Sequence, residues 1–468
     1  MTDTANSYNS LLKSQQVKAL ELRTSKAKER IKKLKSIKSW IEDNEEIICD
    51  ALYSDFKKSR HETYLSEIMP MYGEIRYIIK NLKNWMYPKS VSVPLFFTGT
   101  SNIRIPQPKG NALIISPWNY PFLLTMKPVL SAIAAGCTVI IKPSELTENT
   151  SELIKKMMHE LFTEDEITVI TGGADTAIEL QKLPFNHVFF TGSPKVGKLV
   201  MIAAAKNLAS VTLELGGKSP TIVDETANLK EAAIKIAYGK FLNAGQTCIA
   251  PDYLFVHTKV KDKLLEEIQS YLKKLNDDPE NYSKDYCRII NKGHFSRIVG
   301  LIKEAESEGA QVITGGHSRE SDAFLEPTLL TQITPEMRIM KEEIFGPLLP
   351  VLEFTNLQEV TSFINKNEKP LALYIYSKNR GNQDFITKET SSGSVVINDF
   401  AIQFIYHGIP FGGINNSGTG YSGGEEGFKE FSHLKPVIKN HFSPSPLFYP
   451  PYTKFVKKLT RFAAKYLA

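Results

Sequence analysis

Residues 110–145 read GNALIISPWNYPFLLTMKPVLSAIAAGCTVIIKPSE, and this stretch decides the fold class. Ala112–Ile115 and Thr138–Ile141 are short runs of apolar and β-branched residues, which is typical of strands buried on both faces of a sheet. Between them, Pro128–Ala135 predicts an apolar helix. A buried strand, a helix and another buried strand predict a parallel βαβ unit.

The same alternation continues along most of the chain. Further helices are predicted at 150–162, Thr176–Leu183 and 195–208, and further strands at Thr168–Ile170 and His187–Phe190. A second alternating unit, Val211 to Val396, predicts strands near 211–214, 221–223, 253–257 and 311–313, with helices near 228–242, 259–275 and 293–308. We therefore predict an α/β protein with doubly wound parallel sheets, in which the first unit is a nucleotide-binding candidate.

The charge of the chain is concentrated at one end. Of 468 residues, 42% are hydrophobic and 23% are charged, which is ordinary for a globular protein. At ~150 residues per domain this length predicts about three domains. The formal net charge is +6, but Glu430 is followed by seven basic residues and no acidic one, so residues 1–430 carry −1. A near-neutral body argues against a nucleic-acid partner.

The cysteines and the apolar runs indicate the cellular compartment in which the protein works. Cys49, Cys137, Cys248 and Cys287 are widely separated and form no C-x-x-C motif, so neither a disulfide framework nor a metal site is predicted. The start, MTDTANSYNS, lacks the order of a signal peptide. The longest apolar stretch, 128–141, is shorter than the ~20 residues that cross a bilayer. We expect a cytoplasmic protein.

A glycine turn follows one of the predicted strands. Residues 189–197 read FFTGSPKVG, so a strand runs into Gly192 and Ser193 and then into a helix that contains Val196 and Gly197. Backbone N–H groups at such a helix start can bind phosphate. The spacing is neither G-x-G-x-x-G nor a P-loop, so a plain strand–turn–helix corner remains an alternative.

Cys248 is a candidate nucleophile. It lies in GQTCIA, residues 245–250, where a glycine turn can expose the sulfur, and a nearby helix N-terminus would lower the thiol pKa from its usual ~8.5. The alternative is a buried structural thiol, the commoner fate of a free cysteine.

Glu214 and Asn119 are the other two candidates for chemistry. Glu214 ends an apolar strand, where burial would raise its pKa toward that of a general base; a salt bridge to Lys218 is the alternative. Asn119 lies between Pro117 and Pro121, and this stiff loop can aim its amide as an oxyanion donor. A hydrogen bond from its side chain to its own backbone is the alternative.

Seven short motifs occur in one order along nearly the whole chain, and together they resemble the aldehyde dehydrogenase superfamily. They are Pro117–Pro121, Lys142–Glu145, Phe190–Gly197, Leu213–Lys218, Gly245–Cys248, Glu342–Pro347 and Pro410–Gly413. The chain looks most like the class 3 branch with the fatty aldehyde dehydrogenases, although Gln403 stands where the family usually has a histidine. The resemblance implies a Rossmann-type cofactor domain, an α/β catalytic domain and a small β bridging or oligomerisation arm.

The resemblance also implies an activity, the NAD(P)-dependent oxidation of a medium- or long-chain aliphatic or an aromatic aldehyde. Cys248 would attack the aldehyde to give a thiohemiacetal, whose oxyanion is held by the Asn119 side chain and the Cys248 N–H. After hydride transfer, Glu214 would activate the water that hydrolyses the thioester to the carboxylic acid. A coenzyme A-acylating or semialdehyde-specific dehydrogenase, or a non-catalytic scaffold with this fold, remains an alternative.

The cofactor residues are likewise carried over from the family pattern. Lys142 and Glu145 would lie near the adenine ribose. The turn would lie near the pyrophosphate, with Gly192, Ser193, Val196 and Gly197 as its contacts. The nicotinamide and its ribose would be surrounded by Trp118, Glu343 and Phe345. A carboxylate at Glu145 repels a 2′-phosphate, so NAD is expected, with NADP as a second cofactor because Lys142 is adjacent. The alternative for Glu145 is a helix first-turn charge.

The motifs divide the chain into domains. We predict an NAD(P)-binding domain over 1–87 and 106–210, a catalytic domain over 211–395, bridging or oligomerisation segments at 88–105 and 396–430, and a basic tail over 431–468. Extended strands joined by a turn at Gly99 are predicted in 88–106. With the class 3 resemblance, this arm implies a homodimer.

The tail contains a basic amphipathic segment. Thr453–Leu467 predicts a helix in which Phe455, Leu459, Phe462 and Tyr466 form an apolar stripe among basic residues. Such a helix can bind an anionic membrane surface peripherally, here through 453–467 at the inner face of the cytoplasmic membrane. It can equally pack on its own protein or on a twin subunit.

Overall fold

A computed structural model describes residues 2–275, 285–443 and 445–466. Its helices are α1 (Thr2–Leu22), α2 (Ala27–Asp43), α3 (Glu45–Phe56), α4 (Arg60–Thr63), α5 (Met69–Trp85), α6 (Pro121–Ala135), α7 (Glu148–Leu161), α8 (Ala174–Gln181), α9 (Pro194–Ala205), α10 (Leu229–Phe241), α11 (Lys261–Leu275), α12 (Lys292–Ser307), α13 (Leu357–Lys366), α14 (Arg380–Glu389), α15 (Ile402–Ile405), α16 (Gly424–Glu430) and α17 (Lys454–Tyr466). A π-helical turn, Tyr64–Ile68, joins α4 to α5.

The strands form three main sheets. They are β1 (Lys89–Ser90), β2 (Thr100–Pro108), β3 (Asn111–Ile115), β4 (Thr138–Lys142), β5 (Ile167–Val169), β6 (His187–Gly192), β7 (Ser210–Leu215), β8 (Pro220–Val223), β9 (Tyr253–His257), β10 (Gln311–Thr314), β11 (Ser318–Arg319), β12 (Phe324–Leu325), β13 (Thr328–Thr331), β14 (Leu348–Phe354), β15 (Ala372–Tyr376), β16 (Ser394–Ile397), β17 (Gly418–Thr419) and β18 (Ser432–Asn440).

The first sheet has six strands in the order β17-β7-β6-β3-β4-β5. All neighbours in it are parallel except β17, which is antiparallel to β7. Every residue of β3 and β4 is buried, as their apolar composition requires when helices cover both faces. The helix after β3 begins at Pro121 rather than at Pro128, because Pro121 occupies the first turn and Pro128 lies inside the helix.

The second sheet has seven strands in the order β10-β13-β14-β9-β8-β15-β16, parallel except for the β10–β13 pair. Three of the expected domain boundaries fall inside strands, and the one after residue 105 cuts β2. The boundary after residue 210 separates β7 from β6, although Val211 pairs with Val188 in the first sheet. The boundary after residue 395 cuts β16. Because a hydrogen-bonded strand belongs to its sheet, the first unit extends through Leu215.

A third sheet joins the two ends of the sequence. Its order is β1-β2-β18, and β18 pairs with the whole of β2, from Ser432 opposite Pro108 to Asn440 opposite Thr100. The expected tail from residue 431 therefore begins with a paired strand, which the basic composition of this stretch concealed. Residues 396–430 contribute no strand to this sheet; they supply β17 to the first sheet and α16, which packs on α5 and α6.

The C-terminal helix agrees with the sequence, since α17 covers Lys454–Tyr466, and Leu467 lies outside the described residues. Among the helices that the structure describes, none is both long and apolar enough for a membrane span. Because β3, β6 and β7 are parallel, their carboxyl ends meet at one edge of the first sheet. That edge is where ligands bind in open α/β sheets, and Asn119, Gly192 and Glu214 follow or end these strands.

Candidate active site

Asn119 and Cys248 lie on two loops that are hydrogen-bonded to each other. Asn119 follows β3, and Cys248 lies on the turn between α10 and β9. The Asn119 Nδ2 donates to the Gln246 carbonyl oxygen at 3.0 Å, and the Asn243 Nδ2 donates to the Asn119 carbonyl oxygen at 2.9 Å. The Asn119 amide is thus directed at the cysteine loop rather than at its own backbone.

The turn before Cys248 has an unusual backbone. Asn243, Ala244 and Gly245 are all left-handed, with φ of 54°, 50° and 71°. Alanine adopts this region at a cost, so the surroundings must hold the turn. A Cβ at Gly245 would overlap the backbone oxygen of Gly346, which makes this glycine necessary. The Gln246 Nε2 donates back to the Asn243 carbonyl at 3.0 Å and closes the turn.

Cys248 as a residue is partly exposed, and the surroundings of its thiol disfavour the thiolate. Burial raises the thiol pKa, and the carboxylates of Glu343 and Glu214 raise it further. The next regular element after the turn is the strand β9, so no helix begins directly at Cys248. The expectation of a lowered thiol pKa was therefore wrong. Cys248 needs a nearby proton acceptor to become a nucleophile.

Glu214 has the properties of such an acceptor. Neither of its carboxylate oxygens has a hydrogen-bond partner among the residues that the structure describes, although the side chain is buried. Lys218, the alternative partner, instead binds Asp252 and the backbone oxygen of Ile339. Burial raises the pKa of Glu214 well above its ordinary value, and the Lys127 ammonium partly opposes this rise. A desolvated carboxylate near a thiol can take its proton.

The glycine turn forms a helix start, as predicted. Ser193 precedes α9, and its Oγ accepts a hydrogen bond from the Val196 N–H at 3.4 Å. Val196 itself is exposed, so the first turn of the helix is open to a ligand. Gly197 has a different role, because a Cβ there would press on the Leu215 side chain. Its small size allows α9 to pack closely on β7.

Lys142 and Glu145 form an ion pair at the end of β4. The Lys142 Nζ lies 2.6 Å from Glu145 Oε2; the lysine side chain is buried and the carboxylate is half exposed. The next helix begins only at Glu148, so Glu145 is not a charge of its first turn. Lys142 lowers the pKa of Glu145, so this carboxylate carries a negative charge at neutral pH.

Trp118, Phe345 and Glu343 are the remaining residues expected to bind the cofactor. The rings of Trp118 and Phe345 meet edge to face with centroids 5.3 Å apart. The Glu343 carboxylate lies against Gly216, where a Cβ would overlap it, and accepts a hydrogen bond from the Gly217 N–H. Burial raises the pKa of Glu343 to about 8. An apolar aromatic wall beside a carboxylate suits a nicotinamide ring and its ribose.

These groups together fit a dinucleotide. An open helix start after β6, the carboxylate of Glu145 after β4, and Trp118 after β3, with Phe345 against its ring, follow the carboxyl ends of three strands of the first sheet. The glycine at 216 leaves room for the buried carboxylate of Glu343 in the same place. The residues expected to hold a cofactor are therefore compatible with one.

Sequence reasoning missed the residues that support the site. Asn243 and Gln246 make the hydrogen bonds that connect the two loops. The sequence indicated the turn only through Asn243 and Gly245, two residue types that tolerate left-handed backbone. Lys127 is 3% exposed inside the apolar helix α6. A lysine within an apolar helix was a signal of a buried charge that sequence reasoning did not use.

Comparisons with known proteins agree with this geometry. A model of the aldehyde dehydrogenase family matches residues 2–437. The chain is 44% identical over 449 residues to the 4,4'-diaponeurosporen-aldehyde dehydrogenase of Staphylococcus aureus, covering 95% of each chain. It is 40% identical to aldehyde dehydrogenase family 3 member A2 of Pongo abelii, covering 90% of this chain and 87% of the other. It is 38% identical to the dimeric NADP-preferring aldehyde dehydrogenase of Canis lupus familiaris, covering 92% and 94%.

Solved structures are similar over the same extent. AldH of Staphylococcus aureus in a substrate-bound state has a TM-score of 0.92 and 41% identity, covering 97% of this chain and 98% of that one. The betaine aldehyde dehydrogenase of the same organism, in complex with NAD+, has a TM-score of 0.82 and 28% identity, covering 92% and 87%.

Proposed function

The chain belongs to the aldehyde dehydrogenase family and oxidises aldehydes with NAD(P)+, and we propose that Cys248, Glu214 and Asn119 carry out this reaction. The family resemblance, the α/β fold and the cofactor class inferred from the sequence are thereby confirmed. The observation that carries the proposed roles is that the partly exposed residue Cys248 and the directed amide of Asn119 lie on hydrogen-bonded loops, while the buried carboxylate of Glu214, which has no hydrogen-bond partner among the described residues, acts electrostatically on the thiol.

Cys248 begins the reaction. Glu214 takes the thiol proton, and the sulfur forms a bond to the aldehyde carbon, which gives a thiohemiacetal oxyanion. A primary amide has two N–H donors, and Asn119 uses one on the Gln246 carbonyl, so the other can donate to the oxyanion together with the Cys248 backbone N–H. The chemistry that bound NAD(P)+ supplies is acceptance of the hydride from the substrate carbon.

Glu214 completes the reaction. The carbon is left as a thioester on Cys248. Glu214 releases the thiol proton to solvent and then takes a proton from the water that attacks the thioester, and this proton passes to the sulfur in the next step. The C–S bond breaks, the sulfur regains a proton, and the carboxylic acid leaves. A buried carboxylate next to the thioester favours hydrolysis over acyl transfer to coenzyme A, and it also argues against a scaffold that has lost activity.

The experiment that tests these roles combines two variants. Cys248→Ala should lose NADH formation with decanal. Glu214→Gln should form about one NADH per active site, more slowly than the wild type because the thiol must lose its proton without this carboxylate, and should then stop because the thioester is no longer hydrolysed. Mass spectrometry of the second variant should find an acyl group on Cys248. Full activity of Cys248→Ala would show that the assignment of the nucleophile is mistaken.

An apolar aldehyde is the proposed substrate class, medium- or long-chain aliphatic or aromatic. Gln403 donates to the Tyr374 hydroxyl at 3.2 Å, and that hydroxyl donates to the Ile249 carbonyl at 2.7 Å, so α15 is tied to the cysteine turn. On the same short helix, Ile402 and Ile405 are exposed. Apolar side chains beside the turn support an apolar substrate. Comparing kcat/KM for hexanal, decanal, benzaldehyde and the charged aldehyde glyoxylate tests this, and a preference for glyoxylate would refute it.

We further propose that the enzyme is a homodimer. The β1-β2-β18 sheet carries exposed apolar side chains on β18 and just after it, at Leu434, Ile438 and Phe442. Exposed apolar surface of this kind is typical of a subunit contact. Light scattering should give twice the chain mass of 52.6 kDa, and Ile438→Glu should lower it. A monomer at micromolar concentration would contradict the proposal.

The C-terminal helix is proposed to bind the anionic inner face of the cytoplasmic membrane. Phe455, Phe462 and Tyr466 are exposed on α17. Its basic residues flank this stripe and are Lys454, Lys457, Lys458, Arg461 and Lys465. Each contributes about 1 kcal/mol near an anionic surface. Sedimentation with phosphatidylglycerol vesicles should fall with salt and after deletion of residues 450–468, and binding that survives the deletion would refute the proposal.

A further inference from the structure

A cluster of charged and polar side chains lies behind the turn that carries Cys248. We call Lys58, Glu62, Glu67 and Tyr120 the Glu62 cluster. The Lys58 Nζ lies 2.8 Å from Glu67 Oε1, with both side chains 0% exposed, and 4.0 Å from the centre of the Tyr120 ring. The reaction described above uses none of these four residues, although a buried ion pair is costly to keep unless it is well held.

The cluster contacts the cysteine turn at both ends. The Glu62 Oε1 accepts a hydrogen bond from the Asn243 N–H at 2.9 Å, at the first left-handed residue of the turn. The Tyr120 hydroxyl lies 2.7 Å from the Thr247 Oγ1, next to Cys248. Glu62 and Tyr120 therefore hold the two ends of the strained segment 243–247.

Asn243 transmits the position of Glu62 to the second loop of the site. Its N–H is bound by Glu62, and its Nδ2 donates to the carbonyls of Asn119 at 2.9 Å and Gln246 at 3.1 Å. The Gln246 carbonyl is also the acceptor of the Asn119 amide. A shift of Asn243 would therefore move both the Asn119 loop and the turn that carries Cys248.

We propose that Glu62 is a positioning residue of the reaction, whose ionised carboxylate holds Asn243 and thereby sets the geometry of Cys248 and Asn119. This inference rests on the proposed roles of Cys248 and Asn119. A charged acceptor binds an N–H more strongly than a neutral one, so the turn is held best when Glu62 is ionised. The π-helical turn at Tyr64–Ile68, which begins two residues after Glu62, is a backbone feature frequent at functional sites.

The surroundings of Glu62 give this contact a pH dependence. Burial raises the pKa of Glu62 to about 7, and Lys58 and the Asn243 N–H act in the opposite direction. The ionisable groups that face Glu62 from the elements around it are Lys58, Glu67, Tyr120, Tyr238 and Cys287. Lys58 is the one cation in this set. As the pH falls through about 7, Glu62 takes up a proton and its hold on Asn243 weakens.

The test compares the wild-type enzyme with Glu62→Gln, which keeps an acceptor oxygen but has no charge. The first readout is the rate at which iodoacetamide alkylates Cys248 between pH 6 and 9 without cofactor or substrate. The second is kcat and KM over the same range. We expect the wild type to show a step near pH 7 in both profiles and the variant to lack it. At pH 8 the variant should lose about tenfold in kcat, with little change in the KM for aldehyde.

Two controls keep the result interpretable. Glu166→Gln removes a carboxylate next to β5 that is paired with Lys33, and should leave both profiles unchanged. Glu62→Asp, which restores a shortened carboxylate, should recover the pH step. A wild-type profile in Glu62→Gln, or a change confined to the KM for aldehyde, would overturn the inference. Activity retained by Cys248→Ala would instead overturn the proposed function, so the two failures are distinguishable.

Discussion

Replacement of Lys58 by methionine should destabilise the protein by an amount that grows with pH. The Lys58–Glu67 pair is completely buried, and Glu67 also accepts hydrogen bonds from the backbone N–H groups of Phe122 and Leu123. Removing one partner of a buried ion pair costs about 3–5 kcal/mol when the other charge stays. In Lys58→Met the Glu67 carboxyl avoids part of this cost by keeping a proton.

The pH dependence follows from the Glu67 pKa. Burial raises this pKa in the folded wild type, although Lys58 lowers it, so the variant must have a still higher folded value. The unfolded chain loses the proton near pH 4.3. Above that pH the free energy of unfolding falls by about 1.4 kcal/mol per unit until the folded pKa is reached. The free energy of unfolding of the wild type stops falling at a lower pH than that of the variant. The difference in stability between the two proteins therefore grows as the pH rises.

This difference in stability is measured by urea unfolding at pH 5, 6, 7 and 8, followed by the fluorescence of Trp40, Trp85 and Trp118. We expect it to be smallest at pH 5 and to approach about 3–5 kcal/mol at pH 8. Lys58→Met combined with Glu67→Gln should recover most of the loss, because no buried charge remains. A gap of equal size at pH 5 and pH 8, or a double variant as unstable as the single one, would refute this reasoning.

Three further predictions concern the site itself. Lys127→Met removes the cation that lowers the Glu214 pKa, so the pH at which kcat is half-maximal should rise by about one unit, and an unchanged kcat profile would contradict this. Glu145→Gln should raise kcat/KM for NADP relative to NAD about tenfold, measured with both cofactors at saturating decanal; a constant ratio would exclude this role. Gly245→Ala should lower the thermal midpoint, at a cost of about 1–3 kcal/mol, and reduce Cys248 alkylation, whereas a neutral effect would show that the turn tolerates a Cβ.

The parts of the fold that local patterns determine were predictable from the sequence. The strands at Ala112–Ile115 and Tyr253–His257 and most helices lie within a few residues of their expected positions, because apolar periodicity reports burial directly. β18 was missed as a strand, since its lysines indicated a solvated tail and its partner β2 is distant in sequence. Pairing between distant segments leaves little local signal.

In the candidate site, too, local motifs identify some residues, whereas other contacts depend on the folded chain. Cys248, Glu214 and Asn119 were identified from their motifs, and their proposed roles await experiment. The pairing of Lys218 with Asp252, rather than with Glu214, depends on which side chains the fold brings together. The contact between Glu62 and Asn243 likewise joins residues that are 181 positions apart. Electrostatic surroundings of this kind cannot be read from neighbouring residues.

The pairing of β2 with β18 also constrains the synthesis of the chain. β2 leaves the ribosome early, but its partner strand is completed only when residue 440 has been added. During that interval the β2 edge that faces β18 presents unpaired N–H and C=O groups, which are a template for pairing with another chain. Premature termination before Ser432 would therefore produce an aggregation-prone chain rather than a slightly shorter enzyme. Chaperones that cover open strand edges would be needed most during this window.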